Sequence, residues 1–209
     1  LVHVLPQIYR DIEDALAEHY PDAEFTVPPF LTFGSWVGGD RDGNPNVTPQ
    51  LTEEALRVMR HLALELLEAR LIELSGRISV STLVTGPAPG LEQLITDNTA
   101  RFPELAADLE MRNQDEPYRR ALTLMRERLR AARRGEAGAY GDASELIADL
   151  RTIESTLIVQ GEPLIVTGDL HDVIRQVQTF GFHFARLDIR EHSRRHENAL
   201  AEVFALTGV

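Results

Sequence analysis

The sequence predicts a mainly α fold with about one β-strand, which the chain leaves without an obvious partner. Apolar residues recur at helical spacing along most of the 209 residues. Residues 182–189 alone combine aromatic and β-branched side chains in the manner of a strand. Because one strand cannot satisfy its own backbone hydrogen-bonding groups, we expect it to pair with strands outside this chain or, less favourably, with residues 28–33.

The N-terminal part is predicted to form a helix, then an extended segment, then a long helix. Residues 2–19 carry an apolar stripe, and two consecutive prolines favour extended chain over 23–33. Thr48 followed by Pro49 is a typical helix start, with a hydroxyl cap before a first-turn proline. We expect this helix to reach about Ser75 and to bury one apolar stripe. The stripe comprises Leu51, Ala55, Val58, Leu62 and Leu66, with Met59 and Leu67 beside it.

Five further helices are predicted before residue 180. They cover about 91–99, 103–112, 117–134, 143–160 and 169–179. Glycine and proline interrupt 77–90, and Gly135–Gly141 should form an exposed linker. Asp142 should cap the helix after it, and Ser193 should cap a final helix. The chain thus divides into a helix with a glycine-rich loop over 1–47, a helical region over 48–180, and a strand with its following helix over 181–209.

Composition limits the classes of function. The net charge of -12 and the isoelectric point near 5.0 argue against a nucleic-acid partner or an anionic membrane surface. There is no cysteine, and all 21 basic residues are arginine, so an anion site would need guanidinium groups, backbone N–H groups or histidine. No run of about 18 apolar residues predicts a membrane span. The start at Leu1, without a targeting pattern, predicts an internal piece of a longer protein.

Residues 33–48 form the loop with the most special residues. It holds the only tryptophan, Trp36, together with glycines that permit tight turns and with aspartates and asparagines that bond to local backbone. Loops of this kind often carry binding residues. A helix-entry loop that packs Trp36 into a core is an equally good interpretation of the composition.

Arg190 lies just past the predicted strand and before the final helix. Barrels of alternating strands and helices place catalytic groups at this position, and a guanidinium suits a phosphate or carboxylate. On this interpretation the fold is mainly helical with one strand of an incomplete α/β (TIM-type) barrel. The alternative is an ordinary salt bridge from Arg190 to Asp188 or Glu191, which the residues alone favour.

Two runs of residues carry a resemblance to a known family. The first is Gly-Ser-Trp-Val-Gly-Gly-Asp-Arg-Asp-Gly-Asn-Pro-Asn-Val-Thr at 34–48, and the second is Phe-Gly-Phe-His-Phe-Ala-Arg-Leu-Asp-Ile-Arg-Glu-His-Ser-Arg-Arg-His at 180–196. In sequence, order and separation they resemble two blocks of the phosphoenolpyruvate carboxylase family. The resemblance implies addition of bicarbonate to phosphoenolpyruvate to give oxaloacetate and phosphate, with Mg²⁺ or Mn²⁺ and no organic cofactor.

The resemblance also implies roles for individual residues. Arg190 matches an active-site arginine assigned to the substrate phosphate or the bicarbonate-derived group, and Trp36 would line the apolar pocket around the substrate methylene. Arg41 would be either a substrate-side cation or an organiser held by Asp40 and Asp42. The other residues that would shape the site are Gly38, Gly39, Asp40, Asp42, Gly43 and Asn44. No role is carried onto Glu191 or His192, where the family usually has Gln-Glu.

The resemblance covers about a quarter of such an enzyme. The essential histidine motif of the family would lie upstream of Leu1, and the metal-binding carboxylates and glycine-rich phosphate loops downstream of Val209. We therefore expect no metal ligands here, and we expect this piece to be inactive alone. The resemblance further implies a cytoplasmic location, contact with the remainder of the same polypeptide, and a homotetramer.

Two metal sites are rejected on sequence grounds. The run Asp40-x-Asp42-x-Asn44 starts like a calcium-binding EF-hand loop, but Pro45 replaces the required glycine and Leu51 the final glutamate. His192 and the histidine four residues later have a spacing used for zinc, but a third ligand is lacking. Two surface histidines on a helix are the better interpretation.

The arginine-rich helix at 117–134 offers a different class of function. A non-catalytic helical module could bind a partner or an acidic effector through it. A solvated helix face is the more frequent meaning of such a run, and we favour it. The arginines are Arg119, Arg120, Arg126, Arg128, Arg130, Arg133 and Arg134.

Overall fold

The computed structural model describes residues 2–23, 25–78, 80–86, 88–161 and 166–207. Within these ranges the chain is mainly helical, as the sequence predicts. The helices are α1 (Val4–His19), α2 (Pro49–Arg77), α3 (Thr82–Thr85), α4 (Pro89–Thr99), α5 (Pro103–Arg112), α6 (Pro117–Arg134), α7 (Ala143–Val159), a π-helical segment (Val166–Leu170), α8 (His171–Phe180) and α9 (Ser193–Thr207). Among these helices, none has both the length and the apolar character that spanning a bilayer requires.

The predicted N-terminal caps of α2 and α7 are both present. The Thr48 hydroxyl accepts a hydrogen bond from Leu51 N at 3.3 Å, with Pro49 in the first turn. The Asp142 carboxylate accepts from Ser144 N at 2.8 Å. These side chains satisfy amide groups that the first turn of a helix leaves unpaired, so local sequence alone sets both starts.

The larger hydrophobic core lies between α2, α4, α6 and α7. Residues from the C-terminal half of α2 pack there against α6, the helix with which α2 makes its most extensive contact. The α2 and α6 residues of this core include Leu64, Leu67, Leu71, Leu74, Leu122, Met125 and Leu129. Side chains of α4, α5, α7 and α8 also contribute to it.

The buried face of α2 is not the one that the sequence predicted. Leu51, Val58 and Leu62 are exposed, whereas Leu64, which the predicted stripe left out, and Leu67, which was expected beside it, are fully buried. Leu62 and Leu64 lie about 200° apart around the helix axis. Apolar residues occur on both faces of α2, and contact with α6 selects the second face for burial.

The predicted exposed linker Gly135–Gly141 contains a buried anchor. Tyr140 lies inside the core, and its hydroxyl donates a hydrogen bond to Asp149 Oδ2 at 2.7 Å. The prediction of an exposed linker is therefore wrong at Tyr140, because α6 and α7 together offer an apolar slot with a carboxylate at its end.

A smaller core lies under the two strands. It contains Leu5 and Tyr9 of α1 and Phe180 at the end of α8. The ring of Phe180 stacks on Phe33 at 5.4 Å and on Phe184 at 4.9 Å between centroids. Since Phe33 and Phe184 each precede a strand by one or two residues, this stack fixes where both strands begin.

The two strands are short and parallel. Strand β1 (Gly34–Ser35) pairs with β2 (Arg186–Leu187), with Gly34 opposite Arg186. The sequence predicted one strand over 182–189 and favoured partners outside the chain. The structure instead pairs β2 with the start of the 33–48 loop, and turns with a positive φ of 64° at Phe184 replace the first half of the predicted strand.

Helix α9 has no buried residue among those described. It begins at Ser193, so Ser193 is its first residue and not its cap as predicted. The amide of Arg194 donates instead to His192 Nδ1 at 3.2 Å.

Candidate functional site

The 33–48 loop and the segment after β2 are joined by backbone hydrogen bonds beyond the strands. Arg190 N donates to Gly39 O at 3.0 Å, and Arg41 N donates to Arg190 O at 2.9 Å. Asp40 and Arg190 thereby form a parallel bridge. Residues predicted from two distant parts of the sequence are thus brought to one place by main-chain contacts, which do not depend on flexible side chains.

Gly38 and Gly39 are required by this close approach. A Cβ atom on Gly39 would overlap the carbonyl oxygen of Asp188 and lie 3.1 Å from Leu187 Cγ. Gly38 has a positive φ of 82°, and a Cβ there would lie 2.6 Å from that of Ala55. Any larger residue would push the loop away from β2 or from α2.

The Arg190 side chain lies beside a carboxylate and an indole ring. Its Nε and Nη2 atoms contact Asp188 Oδ2 at 2.9 and 2.8 Å, so the predicted salt-bridge alternative is present in this structure. The guanidinium carbon lies 5.9 Å from the centroid of the Trp36 ring. Both charged side chains remain about half exposed, so the guanidinium keeps donors free for an anion.

Trp36 is 62% exposed, which excludes the interpretation that it packs into a core. Its carbonyl accepts hydrogen bonds from Gly39 N at 2.9 Å and Asp40 N at 3.1 Å. This tight turn presents the indole at the surface beside Arg190. A large exposed aromatic next to a cation on a fixed backbone is typical of a binding surface.

Arg41 is held by Thr52, a residue that the sequence analysis did not single out. Arg41 Nη2 donates to Thr52 Oγ1 at 2.8 Å, while Asp40 Oδ1 accepts from Asp42 N at 3.2 Å. In this structure the Arg41 guanidinium thus donates to Thr52, and the organising role of Asp40 and Asp42 stays a prediction. The sequence feature that points to this contact is a threonine in the first turn of the helix that follows the loop.

The remaining loop candidates make local turns. Asn44 Oδ1 accepts from Asn46 N at 3.1 Å, and Gly43 has a positive φ of 69°. Asp42, Gly43 and Asn44 are exposed. They shape the path from the Arg190 side of the loop into α2.

The described part of the chain does not fit a metal centre. Within the described ranges, no three histidine, aspartate or glutamate side chains converge to hold an ion. We therefore assign no step of a reaction on these residues to a metal.

The arginines of α6 are largely engaged inside the chain. Arg128 is 5% exposed, and its guanidinium lies 3.7 Å from the centroid of the Tyr140 ring. It forms ion pairs with Glu145 and, at 3.1 Å, with Asp149, whose pKa is raised mainly by burial. The expectation of a solvated face is thus wrong for Arg128, because the carboxylates of α7 lie opposite it.

A second ion-pair cluster lies between α6 and α2. Glu68 of α2 is buried and accepts from Arg133 Nε at 2.9 Å and from Arg130 Nε at 3.2 Å. These ion pairs join the two longest helices, so Arg130 and Arg133 also stabilise the fold.

The chain is similar in sequence to proteins of a known enzyme family. A family model described as phosphoenolpyruvate carboxylase matches residues 1–209. A phosphoenolpyruvate carboxylase of Roseiflexus castenholzii is 41% identical over 223 residues, covering 100% of this chain and 24% of the relative. Enzymes of the same name from Burkholderia mallei and Paraburkholderia xenovorans are 37% and 34% identical, each covering 98% of this chain and 22% of the relative. The chain therefore spans less than a quarter of the length of these relatives, and it belongs to the phosphoenolpyruvate carboxylase family.

Proposed function

We propose that this chain is part of an enzyme that carboxylates phosphoenolpyruvate with bicarbonate to give oxaloacetate and phosphate. The observation that carries the proposal is the Asp40–Arg190 bridge, which places the Arg190 guanidinium beside the exposed ring of Trp36. The curated relatives named above are phosphoenolpyruvate carboxylases, and they support this choice of reaction. On this proposal the enzyme resides in the cytoplasm and assembles as a homotetramer.

In the proposed site, Arg190 is the catalytic residue. A fixed guanidinium suits the phosphate of the substrate or the carboxylate derived from bicarbonate, and it stabilises charge that builds up during transfer. Trp36 supplies an apolar wall that keeps water from the enolate carbon. Arg41 serves as a further cation held by Thr52.

The rest of the loop shapes this wall, and the remaining parts come from elsewhere. Gly38, Gly39 and Asp40 allow the loop to lie against the segment after β2, and Asp42, Gly43 and Asn44 turn it into α2. Mg²⁺ or Mn²⁺ would be held by the remainder of the same polypeptide, together with the catalytic base. The 209-residue chain alone is therefore expected to be inactive.

The alternative of a non-catalytic module that binds an effector through α6 has less support. Arg128, Arg130 and Arg133 of that helix are paired with carboxylates of α7 and α2. An effector would have to displace these internal pairs.

The test is bicarbonate-dependent formation of oxaloacetate from phosphoenolpyruvate by the full-length protein that contains this chain. We expect Arg190→Ala to lower kcat/KM by about 10²–10³-fold or more, as loss of one fixed charge-stabilising group does in other enzymes. Arg151→Ala, which removes an exposed arginine paired with Glu154 on α7, is the matched control and should retain activity. No oxaloacetate from folded wild-type protein would refute the proposed reaction. An active protein with an unaffected Arg190→Ala variant would refute only the role of Arg190.

A further inference from the structure

Thr52 occupies a central place between α2 and the 33–48 loop. Its side chain is in the first turn of α2 and only 6% exposed. The hydroxyl oxygen accepts a hydrogen bond from Arg41 Nη2 at 2.8 Å and donates one to Gly38 O at 2.7 Å. Both partners belong to the loop, so one side chain contacts it at two points.

This pattern differs from the usual behaviour of a helical threonine. Such a hydroxyl normally donates back to the carbonyl four residues earlier, which here is Thr48 O at 3.2 Å. The carbonyl of Gly38 is nearer, and the hydroxyl has a single proton. The shorter bond to the loop is therefore the dominant one.

The two contact points bracket the part of the loop that holds Arg190, and Arg41 is itself one of the residues bonded to Arg190. Gly38 and Arg41 enclose Gly39, whose carbonyl accepts from Arg190 N, and Asp40, which is bridged to Arg190. The loop is thus fixed from the β2 side by backbone bonds and from the α2 side by Thr52. Removal of the Thr52 hydroxyl would release the loop on the side that faces α2.

We propose that Thr52 is a positioning residue that fixes the separation of Trp36 and Arg190, and through it the turnover of substrate. This inference rests on the proposed carboxylation for its catalytic part. Thr52 does not touch the substrate in this scheme, because its hydroxyl is buried and its partners Gly38, Arg41 and Thr48 are all groups of the loop. It acts through Gly38 and Arg41.

The first measurement uses the 209-residue chain, in which Trp36 is the only tryptophan. Thr52→Val keeps the shape of the side chain and removes the hydroxyl, so the loop should become mobile and the fluorescence anisotropy of Trp36 should fall. Thr52→Ser keeps the hydroxyl and should restore the anisotropy. The matched control is Thr96→Val in α4, where the hydroxyl of an exposed threonine donates to Glu92 O at 2.9 Å, the carbonyl four residues earlier. It should leave Trp36 unchanged.

The second measurement is steady-state kinetics of the full-length protein. Thr52→Val should lower kcat by about 10–100-fold, which is the scale of effect that small misplacement of catalytic groups produces. Thr52→Ser should regain most of the loss, and Thr96→Val should match wild type. Rescue by serine separates positioning from general loss of folding, which circular dichroism monitors in parallel. If Thr52→Val does not fold, Thr52→Cys replaces it, because a thiol is a weaker donor and acceptor and should give a lower kcat than serine.

The outcomes distinguish the two proposals. Suppose the wild-type enzyme is active and the kcat of Thr52→Val, or of Thr52→Cys in its place, equals that of Thr52→Ser. This result overturns the role of Thr52 and leaves the proposed reaction standing. Unchanged Trp36 anisotropy in a folded Thr52→Val chain also overturns it. A folded wild-type protein that forms no oxaloacetate overturns the proposed reaction, and the catalytic role of Thr52 with it.

Discussion

The guanidinium carbon of Arg190 lies 5.9 Å from the centroid of the Trp36 indole ring, although the two residues are 154 positions apart in the chain. The pair is assembled by the bridge between Asp40 and Arg190, and both side chains face solvent. An anion that binds Arg190 must therefore alter the surroundings of the only fluorescent indole in the chain.

This relationship predicts a spectroscopic response to substrate. Adding phosphoenolpyruvate to the 209-residue chain should change the emission of Trp36 in a saturable way, because binding draws the guanidinium from Asp188 and covers the ring. Arg190→Ala should abolish the change, and the control Arg151→Ala should keep it. A helical module that binds through α6 would give no response at Trp36, and that result would count against the site.

Gly39 is predicted to be intolerant of even one added methyl group. Gly39→Ala should destabilise the fold by about 1–3 kcal/mol, the usual cost of overpacking, because the new Cβ would overlap the Asp188 carbonyl. Chemical denaturation with urea measures the change. The matched control is Gly76→Ala in α2, where a Cβ would meet no atom within 4 Å and helix propensity should raise stability by about 0.5–1 kcal/mol. Equal stability of the two variants would show that the close approach is not required.

Arg128 is predicted to matter for folding and not for ligand binding. Arg128→Met should lower the free energy of unfolding by about 3–5 kcal/mol, since it leaves the partly buried Asp149 without its cation. Removal of the exposed Arg151, whose partner is the next-turn Glu154, should have little effect. Urea unfolding monitored by circular dichroism distinguishes the two, and a loss below about 1 kcal/mol for Arg128→Met would contradict the prediction.

His171 at the start of α8 should make stability depend on pH. Burial lowers the pKa of His171 below its ordinary value of 6.5; Glu13 and Glu154 oppose this shift, and Arg175 and Arg151 add to it. The unfolded chain thus binds this proton more tightly than the folded chain. Its contribution to stability is complete above pH 6.5 and is lost as pH falls from 6.5 towards the lower folded pKa.

The measurement for His171 is the free energy of unfolding at about pH 7.5 and about pH 5.5, on either side of the ordinary histidine pKa. Stability should decrease at the lower pH by no more than about 1.4 kcal/mol per pH unit for this one group. In His171→Gln the decrease should be smaller. A variant with the same pH dependence as wild type would remove His171 from the explanation.

The sequence by itself determined the elements whose causes are local. Thr48 and Asp142 start their helices because each side chain bonds an amide two or three residues on. Helical periodicity and the breaks at glycine and proline predicted most helices of the described chain to within a few residues, but not the short α3, which lies in the predicted break at 77–90. The residues of the 33–48 loop and Arg190 were also identified from sequence, since their pattern carries the family resemblance.

Tertiary structure alone decided what depends on partners far away in the chain. Both faces of α2 are apolar, so only contact with α6 determines that Leu64 is buried and Leu62 exposed. The partner of β2 proved to be the start of the loop because the stack of Phe33, Phe180 and Phe184 aligns the two segments. Local patterns contain no information about such contacts.

The same reason explains why the buried contacts of Thr52 and Arg128 were not predicted. A threonine in a first helical turn and an arginine on a helix are both ordinary in sequence. Thr52 became a contact of the loop because Gly38 and Arg41 fold back onto α2, and Arg128 became buried because Tyr140 and Asp149 close over it. Hydrogen-bonding partners and burial, which set the energetic weight of a polar side chain, exist only after the chain has folded.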